Sequence, residues 1–211
     1  MRVKICGITN LEDAREAVRL GAWAIGLIHA ESPRGCGPDV ASAISAELRR
    51  QCEIAGVFVN PDLEEVQKAV ADEGLSIVQL NGDEGPSFCT EVARRTGAKV
   101  IKAIHVSTSG DVRGADAYRT AFHMFDTRQG ELRGGTGQVF DWQLLTGRSS
   151  EIPAIVAGGL RPDNVGEAIE VAGPYAVDVA SGVEAEPGRK DHTLLAEFFE
   201  AANAAAPAPA R

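Results

Sequence analysis

RVKICGIT (Arg2–Thr9) is the stretch from which the rest of the chain can be read. Val3 and Ile5 are apolar β-formers, and Lys4 and Cys6 alternate with them, so these two point to the opposite face of a strand. Gly7 breaks the strand, and Asn10 is placed to cap a helix that begins LEDAREAVRL (11–20). The Cys6 thiol therefore stands at the C-terminal tip of a first strand, where the chain turns into a helix. In a parallel barrel that rim carries the chemistry. A free cysteine is more often a small core hydrophobe, so the remainder of the chain has to decide between the two.

Outward from this unit, apolar run, turn and amphipathic stretch recur about eight times, at roughly 26 residues per unit, as βα repeats do. The later strands are WAIGLI (23–28), IAGVFV (54–59), IVQL (77–80), VIKAI (100–104), FHMFD (122–126), AIVAG (154–158) and YAVDVASG (175–182). Between them lie helices at 39–50, with Pro38 in its first turn, at 62–73 after Asn60-Pro61, and around 88–95. A short helix near 115–121, another at DWQLL (141–145), VGEAIEVA (165–172) and HTLLAEFFEAANA (192–204) complete the pattern. The alternation predicts a closed (β/α)8 barrel in one domain over 1–205, with 206–211 a disordered tail. An open doubly wound sheet is the competing arrangement, which periodicity alone does not separate. No Gly-rich dinucleotide fingerprint or Walker loop follows the first strand.

Composition narrows the function. In 211 residues, 44% are apolar, which suits a globular core. No run reaches the length of a membrane span, and no apolar signal core opens the chain, so a cytoplasmic protein is expected. Cys6, Cys36, Cys52 and Cys89 are widely spaced without a CxxC pair, against a zinc site or a disulfide framework. A net charge of −9 argues against nucleic-acid or anionic-membrane binding. Anionic small molecules remain open, because helix N-termini supply local donors.

The strand tips supply the candidates: Cys6, His29 or Arg34, Asn81, Asp126 and Asp178. Asp126 ends an apolar strand before a glycine-rich loop. A carboxyl group at an apolar mouth has a raised pKa and can act as a general acid; capping of loop amides is the plainer role. Asp178 shares strand parity with Ala176 and Ala180, and Lys4 with Cys6. With strands one and eight side by side on closure, Lys4 and Asp178 are expected to form an inward ion pair beneath Cys6. Gly158 and Gly159 follow strand seven, and Ser181 and Gly182 follow strand eight, the loops where barrels commonly bind phosphate. Arg34 suits a carboxylate, since its guanidinium makes a two-point contact. RGGTG (133–137) is either a closing lid with glycine hinges or an ordinary mobile loop.

These residues resemble a known family, phosphoribosylanthranilate isomerase, a (β/α)8 barrel of tryptophan biosynthesis. The matching motifs span almost the whole chain in order: KICGIT, DAREA, SPR, GVFVN, VQLNGDE, GGTG with FDW behind it, AGGLRPDNV, and VDVASGVE with GRKD. The resemblance implies an Amadori rearrangement of N-(5-phosphoribosyl)anthranilate to 1-(2-carboxyphenylamino)-1-deoxyribulose 5-phosphate, without metal or organic cofactor. The family's general base falls on Cys6, its general acid on Asp126, its substrate-contacting arginine on Arg34 and its strand-eight aspartate on Asp178. Its phosphate loops fall on Gly158, Gly159, Ser181 and Gly182. A free thiol near pKa 8.5 is only a few per cent ionised at neutral pH, so Cys6 should be activated, with Lys4 the candidate cation. The partner is then a small phosphorylated substrate, and the chain is expected to act as a monomer.

Four departures stand out. Asn81 replaces the histidine of a QLHG motif, so it can hydrogen-bond the substrate but cannot take up a proton near pH 7. Gly35-Cys36-Gly37 replaces an aromatic after Arg34, His29 a phenylalanine and Ala180 a serine. Two rival readings are a histidine-pathway phosphoribosyl isomerase, which would need an aspartate where Cys6 stands, and a non-catalytic barrel that binds a phosphorylated metabolite.

Overall fold

A computed structural model of the chain describes residues 1–127 and 139–206. Eight parallel strands close into a barrel in sequence order, and the open doubly wound sheet is excluded. They are β1 (Arg2–Cys6), β2 (Ala24–Ile28), β3 (Glu53–Phe58), β4 (Ile77–Leu80), β5 (Lys99–Val106), β6 (Phe122–Thr127), β7 (Ala154–Val156) and β8 (Ala176–Val179). Outside them run α1 (Leu11–Arg19), α2 (Pro38–Leu48), α3 (Leu63–Glu73), α4 (Pro86–Thr96), α5 (Ser109–Gly114), α6 (Val165–Ala172) and α7 (His192–Ala204). The RGGTG loop and the last five residues lie outside the described residues.

Strand parity separates two cores. Val3, Ile5, Ile25, Leu27, Ile54, Phe58, Val177 and Val179 face outward and pack under the helices. Ala24, Ala55, Ile77, Ile101, Met124, Ile155 and Ala176 fill the barrel lumen. At its N-terminal end Trp23, Phe122 and Tyr175 meet edge-on or tilted, with ring centroids 5.3 to 5.8 Å apart. This plug adds aromatic contact energy to burial and fills the N-terminal end of the lumen. No helix among the described residues is long and apolar enough to cross a membrane.

Three expectations need correction. The short helix falls at Ser109–Gly114, followed by a 3-10 turn at Ala115–Ala117, not at 115–121. Its start is fixed by a capping box, in which the Asp111 carboxylate accepts from the Thr108 backbone N–H at 2.8 Å. Strand five runs two residues further, through Val106. Strand eight stops at Val179; Ser181–Val183 is a 3-10 turn, and a short antiparallel pair follows, β9 (Glu184–Glu186) and β10 (Arg189–Lys190).

Candidate active site

The mouth is lined by inward-facing residues at the strand tips. On one side, β1 pairs with β8 so that Lys4 lies opposite Asp178. Lys4 Nζ donates to Asp178 Oδ1 at 2.7 Å, and both side chains are buried. This is the ion pair that parity predicts, directly beneath Cys6. Gly26 of β2 makes room for it: a Cβ there would lie 2.9 Å from Cys6 Sγ and 3.1 Å from Lys4 Nζ. Burial is the strongest influence on the Cys6 thiol and pushes its pKa up; Lys4 and Lys190 pull it down, and Asp178 adds to the rise. The expected activation is therefore offset: the cations are in place, but the net shift is upward.

Three strands round the barrel, Asp126 sits at the tip of β6. Burial pushes its carboxyl up to about 6; His105 opposes the rise, and Asp178 reinforces it. Gly158 lies against this carboxylate with φ +83°, and a Cβ at that position would collide with Asp126 and Thr127. Glycine is thus required there on both counts. Gly159 also has a positive φ, +70°. Gly182 packs on the Leu160 carbonyl, so the loops after β7 and β8 meet backbone to backbone. Gly158 thus lies beside Asp126, and the loops that carry Gly158 and Gly159 after β7 and Ser181 and Gly182 after β8 meet at Leu160, in the region where the barrel fold commonly holds phosphate.

Arg34 does reach the mouth, folded across Gly7, whose Cβ would lie 2.9 Å from Arg34 Cδ. Its guanidinium is engaged by Glu184, through Nε and Nη2 at 2.8 to 2.9 Å. Glu184 also accepts from Lys190 Nζ at 2.9 Å. Lys190 donates its backbone N–H to Asp13 Oδ2 at 2.9 Å, and Asp13 in turn takes the Asn10 amide and sits 2.9 Å from His192 Nε2. One network therefore joins the start of α1, the loop after β2, and β9–β10.

Asn81 continues the inward face of β4. Gln79 Nε2 donates to Asn81 Oδ1 at 2.8 Å, which leaves the Asn81 amide nitrogen as its outward edge. The backbone on either side of Asn81 is clamped from outside the barrel, because Lys102 Nζ donates to the Leu80 and Gly82 carbonyls and to Glu84 Oε2.

His29, offered as an alternative to Arg34, does not belong to the site. Its N–H continues the ladder to the Val57 carbonyl, which fixes the outward phase of its side chain. The ring stacks on Phe58 at 4.8 Å and lies 3.2 Å from Glu73 Oε2 of α3. His105 was missed. It is the inward residue that follows Ile101 and Ala103 in parity, beside Asp126 in the β5–β6 register. Glu184, Lys190 and Lys102 sit in or near motifs already quoted, but nothing local marks them as partners of the site. Among the described residues, no group of three His, Cys, Asp or Glu side chains is arranged to hold a metal ion.

Comparison with known proteins agrees with this geometry. A family model for N-(5'-phosphoribosyl)anthranilate (PRA) isomerase matches residues 3–201. An N-(5'-phosphoribosyl)anthranilate isomerase of Geobacter metallireducens is 44% identical over 205 residues, 97% of this chain and all of that one. A phosphoribosyl anthranilate isomerase solved with reduced 1-(o-carboxyphenylamino)-1-deoxyribulose 5-phosphate is 40% identical and superimposes with a TM-score of 0.85, covering 97% of this chain and 99% of its own. A solved form of the Thermotoga maritima protein, described as monomers generated from a dimeric enzyme, has the same identity, TM-score and coverage.

Proposed function

Because the chain belongs to the N-(5'-phosphoribosyl)anthranilate isomerase family, we propose that it converts N-(5-phosphoribosyl)anthranilate to 1-(2-carboxyphenylamino)-1-deoxyribulose 5-phosphate, with Cys6 as general base and Asp126 as general acid. The observation that carries this reading is the pairing across one apolar mouth of a carboxyl held up to about 6 and a thiol set among cations. The substrate has two anionic ends. Its phosphate lies on the turn made by Gly158, Gly159, Ser181 and Gly182, and its carboxylate reaches Arg34. Asp126 gives its proton to the furanose ring oxygen as the C1–O bond breaks, and the anilino nitrogen lone pair closes a Schiff base. The Cys6 thiolate then removes the proton from sugar C2, giving an enolamine that tautomerises to the ketone. Asn81 and Asp178 hold the substrate's polar groups during these steps.

The two pKa shifts fix how activity depends on pH. The reaction needs protonated Asp126 and ionised Cys6 together. Below about pH 6 the acid is protonated and the thiolate fraction falls tenfold per unit, so the rate follows it down. Between the two pKa values the product of the fractions is level, and above the thiol's the rate falls again as the acid is lost. The test is turnover of freshly generated substrate, read by loss of anthranilate-type fluorescence. Cys6→Ser and Asp126→Asn should each lose about a hundred- to ten-thousand-fold in kcat, the usual contribution of a positioned acid or base. A folded wild type without turnover overturns the assignment.

We further read the protein as a cytoplasmic monomer. All four cysteines are unpaired thiols, and among the described residues the large exposed apolar side chains, Val40, Val59 and Val139, are separate in sequence. Sedimentation at micromolar concentration checks the monomer; a dimer mass corrects it.

A further inference from the structure

We infer that Lys190 is a positioning residue for the base: its ammonium stands beside the Cys6 thiol as a second cation, and Glu184 holds it there. The inference rests on the reading of Cys6 as base only for its consequence in turnover. Its starting point is a charge count around the thiol. From β1 comes Lys4 and from β8 Asp178, joined at 2.7 Å, so that this pair is neutral as a unit. From β2 the facing position is Gly26, which carries no charge. Beyond it lies the cluster Arg34, Glu184 and Lys190, two cations that share one carboxylate. Lys4 is the stronger cationic influence on the thiol but is partly cancelled by Asp178, and Lys190 of this outer cluster adds to it.

Within the cluster, Lys190 is the member placed on the thiol's own seam. Its Nζ donates to the Ala180 carbonyl at 3.0 Å and to Glu184 Oε1 at 2.9 Å, and its side chain is fully buried. Ile5 pairs with Val179 in the β1–β8 register, and Cys6 and Ala180 are the residues that follow each of them. The Lys190 ammonium is thus tied to the tip of β8, next to the tip of β1 that carries the sulfur. Its backbone is fixed by Asp13, and the next residue, Asp191, caps α7 through the Thr193 and Leu194 N–H groups. Burial pulls the Lys190 pKa down, and Glu184 counters it, as does Cys6. Glu184 therefore has two tasks, to orient Arg34 and to keep Lys190 charged.

The experiment measures Cys6 ionisation without substrate. Iodoacetamide alkylation is followed at the Cys6 peptide by mass spectrometry from pH 7 to 10, in the wild type, Lys190→Met and Lys190→Arg. The other thiols, Cys36, Cys52 and Cys89, are pushed up to about 11 by burial and are read on their own peptides. Lys190→Met should slow Cys6 alkylation at pH 8 by at least about threefold, a rise of half a pKa unit. Lys190→Arg should restore most of the rate, and kcat should follow the thiol with KM little changed. If Lys190→Met does not fold, Lys190→Gln, which keeps a donor for Ala180, is read instead. An unchanged midpoint overturns the inference, as does a change confined to the limiting rate at high pH, which reports access alone. Because no substrate is present, the result stands even if the wild type fails to turn over phosphoribosylanthranilate.

Discussion

Across the barrel mouth, Cys6 and Asp126 occupy opposite electrical surroundings. The β1–β8 wall around Cys6 holds two lysines and an arginine with two carboxylates, all tied by short contacts. The β6 wall around Asp126 has glycine backbone, the apolar lumen, and one imidazole in register, His105. Cys6 is buried and Asp126 half-buried, and desolvation pushes both pKa values up. On the acid side His105, the Thr127 N–H and Lys4 oppose that rise without cancelling it, and the group stays protonated further toward neutrality, as an acid must. On the base side cations are assembled against it. Burial is common to both walls, and the placement of fixed charge is what gives one group a proton to donate and the other a means to accept one.

The largest expected effect comes from breaking the charged wall at its lowest point. Lys4→Met removes the partner of a buried Asp178 and should cost roughly 3–5 kcal/mol, the usual penalty for an orphaned buried charge. Pairing it with Asp178→Leu should recover most of that loss, since an apolar pair of similar volume often replaces a buried ion pair without net cost. Urea unfolding of the three variants measures this. If the single and double variants are equally unstable, the wall is held by packing rather than by charge.

How much of this was legible in the sequence follows from the range over which each cause acts. The alternation of Lys4 and Cys6 with Val3 and Ile5, and of Asp178 with Val177 and Val179, is a period-two signal, and with the barrel closed it was enough to pair Lys4 with Asp178. Asp126 was legible for the same reason, as a carboxyl ending an apolar strand. What was missed depends on contacts between distant parts of the chain. Arg34 finds Glu184 across 150 residues, and nothing in SPRG says so. β10 is two residues long and is held by a bond from the Lys190 N–H to Asp13, so it has no periodicity to read. His105 was hidden because strand five extends past its apolar run into HVSTSG, where the register with β6 keeps the chain extended. His29 was misplaced because its backbone still follows the β2 ladder, which sends the ring outward.

The uncharged wall can be tested by removing its one charge. The Asp126 carboxyl titrates near 6 in the folded protein, against about 3.9 in an unfolded chain. A raised acid favours folding in its protonated form, so the penalty from its charge is absent below about pH 4, grows between pH 4 and 6, and is complete above. Asp126→Asn should therefore match wild-type stability at pH 4 and exceed it by up to about 3 kcal/mol at pH 8, at 1.36 kcal/mol per pKa unit. Thermal unfolding of both proteins across that range checks it. The gain in stability with loss of turnover would mark Asp126 as a site where the fold gives up stability for reactivity. A stability difference that does not change with pH would mean that the carboxyl is not held up by its surroundings.

The smallest expected effect separates positioning from charge on the crowded wall. Glu184 grips Arg34 through a fork of three contacts, yet the arginine side chain remains about a quarter exposed, so it presents a face to the mouth while being held from behind. Glu184→Gln keeps the shape of that grip but removes its charge and one of the two acceptor oxygens, so the guanidinium loses its fixed orientation. A substrate carboxylate then has to order Arg34 as it binds. Ordering one rotamer-rich side chain costs about 0.5–1.5 kcal/mol, which predicts a KM about two- to tenfold higher for the carboxylated substrate. The same argument predicts little change in KM for an analogue that lacks the carboxylate, since nothing in that complex depends on where Arg34 points. Steady-state kinetics on the two substrates make the distinction. Equal losses on both would move Glu184 from the orientation of Arg34 to the general support of the wall, and the wall would then be one electrostatic unit rather than two tasks that share a carboxylate.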